Sequence, residues 1–191
     1  TNAWNITGGD SGTVTDITVG FSNIASLVGG SGDDTFTFAN AGSLSGSIDG
    51  GAGISDTIVG DNDGNTFVIS GADTGSVTGK TTLWSNVENL TGGTVADVFS
   101  LLAGGTLSGQ IDGGTGNDEV RYSTRGTAVA VNLLLGTSTD VAGGVTSVEN
   151  AQGGSAGDTL IGNAVSNTLT GNDGNDTLTD GTGDDALDGG A

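Results

Sequence analysis

The 191-residue sequence predicts an all-β fold, a right-handed parallel β-helix or β-roll with about 18–22 residues per turn. Three observations carry this expectation. The chain repeats itself, its repeats are glycine turns followed by short strands, and it contains no proline. A strand inside a stack must donate its N–H groups on both sides, which proline cannot do.

The repeat comes first because it sets the register of everything else. Residues 1–63 laid over 64–126 without a gap give 24 identities in 63 positions. FSNIASLVGG (21–30) matches WSNVENLTGG (84–93), and SLSGSIDGGAG (43–53) matches TLSGQIDGGTG (106–116). Apolar residues coincide at Ile24 and Val87, Leu27 and Leu90, Phe36 and Phe99, Leu44 and Leu107, and Ile48 and Ile111. A third copy begins at SVENAQGG, offset by 61 residues from the second. From Gly153 the period shortens to nine: GGSAGDTLI, GNAVSNTLT, GNDGNDTLT and DGTGDDALD. Isolated units of the same form stand earlier, as GGSGDDTFT (29–37), GGTVADVFS (92–100) and GGTGNDEVR (113–121). The expected organisation is one continuous stack: repeats at 1–63 and 64–126, degenerate linking turns at 127–152, and a nine-residue block at 153–191.

Each unit is a turn and then a strand. Glycine reaches the left-handed backbone that tight turns need, and β-branched Thr and Val suit strands. No glycine-free segment shows a period of 3.6 residues, so helices are not expected. One large apolar residue per strand makes no core alone, but stacking aligns these residues into a narrow continuous one. Two nine-residue units make an 18-residue turn, while Asn2 to Asn23 and Asn65 to Asn86, each 21 apart, suggest three turns per 63-residue repeat and a possible asparagine ladder.

Composition removes most alternative functions. Without Cys or His there is no thiol nucleophile, imidazole base or zinc site of the usual kind. The net charge is -20 and the only cations are Lys80, Arg121 and Arg125, so nucleic acid and anionic membrane surfaces are poor partners. No apolar run reaches the roughly 18 residues of a spanning helix. Metal chemistry must use oxygen. Calcium takes six to eight oxygen ligands, more than one loop provides, so stacked loops must share an ion. Stacking pairs Asp158 with Asp176 and Asn167 with Asp185 in the nine-residue block, and Asp34 with Asp56 and Asp97 with Asp118 in the longer turns. Residues 153–191 hold seven Asp and no Lys or Arg, a density that cations must neutralise if the block is to fold. Away from this block an Asp in a glycine turn can equally act as a simple turn cap.

GGSGDDTFT, GGTGNDEVR and GNDGNDTLT fit G-G-x-G-x-D-x-(apolar)-x, which resembles the RTX, or repeats-in-toxin, family of calcium-binding proteins. The stretch from Val120 to Ala191 is similar to the segments that join such blocks in large bacterial adhesins. The resemblance implies a parallel β-roll or β-helix, export through a type I secretion channel, an extracellular or bacterial cell-surface location, and Ca2+ bound between turns. The chain departs from the pattern at Asn167, Ala156 and Asp180.

The expected role is structural rather than enzymatic: a module of a secreted surface fibre or adhesin, joined end to end to copies of itself or to flanking repeats, with a cell-surface or matrix target. Neither end of the sequence shows an atypical capping unit, which motivates the stacking. Three other readings compete. A calcium-dependent secretion or folding tail of a larger toxin or hydrolase is close to the first. A β-helix enzyme acting on acidic sugar would need an acid pair breaking the repeat, and none stands out. Ice binding through threonine ladders is suggested by the T-x-T strands at 168 and 177.

Overall fold

A computed structural model describes all 191 residues. The chain is all-β, with 22 strands and no helix. The strands form three sheets of eight, ten and four strands, and all three mix parallel and antiparallel pairs. A purely parallel β-helix is therefore not what forms. No sheet closes into a barrel.

The parallel pairs build the stack. In the eight-stranded sheet Phe36 lies beside Ile58 and Ile58 beside Leu90, then Leu90 beside Ile111 and Ile111 beside Val145. In the ten-stranded sheet Phe67, Phe99, Val120, Ala151, Leu169 and Leu187 follow one another. Steps of 21 or 22 residues, as from Leu90 to Ile111, alternate with steps of 31 to 34, as from Ile58 to Leu90. Only in the nine-residue block does the step settle at 18, from Leu160 to Leu178 and from Leu169 to Leu187.

The long steps correct the expected turn of 18–22 residues. Each contains an antiparallel excursion: Ser11–Val14 and Ile17–Ser22 in the first repeat, Thr74–Val77 and Thr81–Ser85 in the second, and the short Thr137–Ser138 in the third. Asp10, Asp16 and Asp73 turn these corners at φ of 52°, 64° and 46°, the left-handed region that Asp tolerates better than most residues. The 63-residue repeat is thus not three equal turns. Nor do its asparagines form a ladder: Asn23 and Asn86 occupy left-handed corners, whereas Asn65 is buried and bonded to Asp97.

Setting the excursions aside, each of the first two repeats contributes five strands that alternate between the two larger sheets. The first runs through Ala3–Gly8, Leu27–Gly30, Thr35–Phe38, Ser47–Gly51 and Thr57–Val59. Five is odd, so equivalent residues of successive repeats fall in opposite sheets. Phe36 lies in the eight-stranded sheet and its counterpart Phe99 in the ten-stranded one.

One cluster of 28 buried apolar residues runs between the sheets. Rings stack where the repeats meet, with Phe67 and Phe99 centroids 4.8 Å apart and 7° from parallel. Of the five apolar pairs read from the repeat, only Ile24 is not buried. The core thins toward the C-terminus, where Leu178 is half-buried and Leu187 exposed. Full burial of a Leu or Phe is worth roughly 1.5–3 kcal/mol, so the two end strands contribute much less than those before them.

Candidate calcium sites

The glycine turns place their Asp side chains inside the stack rather than on its surface. Asp34, Asp56, Asp97, Asp118 and Asp158 are all buried, as is Asn167, while Asp176 and Asp185 are half-buried. In each expected pair the backbone N–H of the first residue donates to the carboxylate of the second. Asp34 reaches Asp56 Oδ1 at 2.6 Å, Asp97 reaches Asp118 Oδ1 at 2.7 Å, Asp158 reaches Asp176 Oδ1 at 2.7 Å, and Asn167 reaches Asp185 Oδ1 at 2.8 Å. The eight residues singled out in sequence are thus brought together in four pairs, one turn apart.

The pairs belong to longer columns. Asp34 Oδ1 accepts the Asn2 N–H, and the Asp56 N–H donates to Glu88 Oε2 at 2.7 Å. One repeat later, Asn65 N–H donates to Asp97 Oδ1 at 2.6 Å and Asp118 N–H to Glu149 Oε2 at 2.8 Å. Glu88 and Glu149 are members of the site that sequence reasoning missed. Their signal was the V-E-N triplet, present at 87–89 and again at 148–150.

Part of this geometry is turn capping. Asp97 and Asp158 use their second oxygen on the turn's own backbone, accepting from Gly93 N–H and Gly154 N–H, each at 2.6 Å. Others are unfinished. Oδ2 of Asp34, Asp56, Asp118 and Asp176 is buried and has no hydrogen-bond partner. A buried carboxylate oxygen without a donor is costly unless a cation or proton meets it. No three acidic side chains converge on one point, so a metal held here must draw on backbone carbonyls as well as paired carboxylates. That oxygen-only donor set, two carboxylates from stacked turns plus main chain, fits calcium.

Burial and neighbouring charge act on the columns together. Burial, joined by the negative charges of Asp97 and Glu149, pushes the Asp118 carboxyl up to about 6 from its ordinary 3.8. Burial likewise raises Asp56, beside Asp34, and Glu88, beside Asp56. These groups bind more protons folded than unfolded between the two pKa values, so each loses stabilising effect as pH rises through that window. The melting temperature of the chain in chelator is expected to fall from about pH 4.5 to about pH 7, most steeply below 6, and excess calcium should flatten this slope. A slope that calcium leaves unchanged would show that the cation does not meet these carboxylates.

The three cations are each paired elsewhere. Lys80 bonds the buried Asp61, Arg121 bonds Glu119, and Arg125 bonds Asp140 at 2.6 Å. None faces the columns as a counter-charge. The T-x-T strands Thr168–Thr170 and Thr177–Thr179 lie in different sheets and do not make one threonine ladder.

No curated protein matches the chain. The family model of the RTX calcium-binding nonapeptide repeat matches it in four copies, over residues 20–38, 152–179 and 161–191. These spans contain Asp34, Asp158, Asn167, Asp176 and Asp185, so the chain carries RTX-type calcium-binding repeats and calcium is the ion they bind.

Proposed function

We propose that the chain is a structural module of a secreted bacterial surface fibre or adhesin, a stiff right-handed stack that calcium locks and that joins end to end with further repeats. The observation that carries it is the set of buried, unpartnered Asp Oδ2 atoms at stacked turns, which an ion between turns would satisfy. The right hand is the one parallel crossovers adopt in nearly all proteins. Asp34 with Asp56, Asp97 with Asp118, Asp158 with Asp176, and Asn167 with Asp185 are the proposed ligand pairs. The last holds one carboxylate instead of two and should bind most weakly. The matching family is a structural calcium-binding repeat rather than a catalytic one, which supports a scaffold role outside the cell.

Electron microscopy and sedimentation of the purified chain in calcium test the assembly. Rods or filaments extended along one axis are expected, and a compact sphere that never associates would overturn the fibre reading. The second reading, a calcium-dependent folding tail of a larger secreted protein, is favoured by one observation: the family match is densest at 152–191, where the core is thinnest.

A further inference from the structure

The excursion strands create a surface that the chain covers twice and leaves open once. Strand Thr81–Ser85 lies parallel to Ser47–Gly51 of the preceding repeat, with Trp84 opposite Ile48. One repeat later Val145–Thr146 lies parallel to Ile111–Asp112, with Val145 opposite Ile111. The next strand follows suit: Leu90 packs beside Ile58, and Ala151 beside Val120. In the first repeat the equivalent strands are Ile17–Ser22 and Leu27–Gly30, and both are edge strands with an unpaired side.

The side chains repeat this pattern. Val87 is 0% exposed and Val148 3%, while their counterpart Ile24 is 43% exposed. Trp84 and Val145 are buried, while their counterpart Phe21 is only half-buried beside Trp4. The backbone is already shaped for contact. Asn86 and Ser147 stand at φ of 52° and 51°, with their carbonyls so close to Gly50 and Gly113 that an added Cβ would lie 1.8 or 1.9 Å away. Asn23 holds the same conformation, at φ 57°. One group is missing: Ala25 stands where Glu88 and Glu149 accept the N–H of Asp56 and Asp118.

We infer that Ile17–Ser22 and Leu27–Gly30 form a docking surface for one further turn of the same repeat, a segment with the sequence pattern of residues 43–63. Its S-I-D-G-G strand would lie on Ile17–Ser22, with its glycine against the Asn23 carbonyl, and its D-T-I-V strand on Leu27–Gly30. Exposed parallel edges take strands of matching register, and here the register is set by contacts the chain already makes twice. The inference rests on the end-to-end reading above and names the surface and the partner.

The test fuses residues 43–63 ahead of Thr1 and follows amide hydrogen exchange in calcium. In the unextended chain residues 17–30 should exchange at least about tenfold faster than 81–91, and in the extended chain this gap should close. Ala25→Glu in the extended chain should slow exchange further, and Gly50→Val confined to the added segment should reopen the gap. If neither the extended chain nor its Ala25→Glu form protects 17–30, or if Gly50→Val changes nothing, the surface is not a docking site of this register. Protection already present in an unextended chain that sediments as a dimer would assign the surface to a second copy and overturn the proposal. Exchange at 153–191 with and without calcium, read in the same samples, reports on the calcium reading separately.

Discussion

In chelator, residues 153–191 are expected to lose their protection against hydrogen exchange while residues 1–126 keep most of theirs. The two parts are built from the same turns but held differently. The first contains Trp84, Phe36, Phe38, Phe67 and Phe99, all buried in the shared core. The second offers one leucine per three-residue strand, and of Leu160, Leu169, Leu178 and Leu187 only the first two are buried. Against that small gain stand seven Asp with no Lys or Arg in the segment, and an unpartnered Asp176 Oδ2. An ion present at a hundred times its dissociation constant contributes about 2.7 kcal/mol per site, enough to decide whether so thin a core folds. Thermal unfolding followed by circular dichroism should therefore show one transition in calcium and two in chelator. Uniform protection across both parts in chelator would mean that the tail needs no metal.

Trp84→Ala is expected to be the most damaging single change in the first two repeats, costing about 3–5 kcal/mol. Trp84 is fully buried, sits opposite Ile48 in the neighbouring strand, and fills the space left by Gly75, where a Cβ would lie 2.6 Å from its ring. Emptying that site loosens the excursion and the seam between repeats together. Urea unfolding should show the lower midpoint, and exchange should accelerate at 47–51 as well as at 81–85. Phe21→Ala, at the equivalent but half-covered position, should cost distinctly less. Equal costs would mean that the seam contributes nothing beyond local packing.

Much of the site was legible because its signals are local and repeated. The nine-residue spacing placed Asp158 over Asp176 and Asn167 over Asp185, and spacings of 21 and 22 placed Asp97 over Asp118 and Asp34 over Asp56. Glu88 and Glu149 were not found because their carboxylates act from the following turn, outside any glycine motif. The all-β class and the shared core positions were also readable, since an apolar residue at a fixed place in a repeat needs a common interior. The excursions were not. Residues 11–22 and 74–85 carry the same Thr, Ser, Val and Gly as the parallel strands, and nothing in composition says which way a strand will run. What reverses them is backbone shape at Asp10, Asp16 and Asp73, a property that side-chain spacing does not display.

The odd number of strands in each repeat also governs what the chain tolerates when its length changes. Because equivalent strands already swap sheets from the first repeat to the second, a surface group at one repeat position faces opposite sides of the stack in neighbouring repeats. Same-side presentation returns only every second repeat, after 126 residues in this sequence. In the nine-residue block, gain or loss of one unit would send every later strand to the other sheet, and gain or loss of two would not. Parity, more than length, is what insertions and deletions in such a chain must respect.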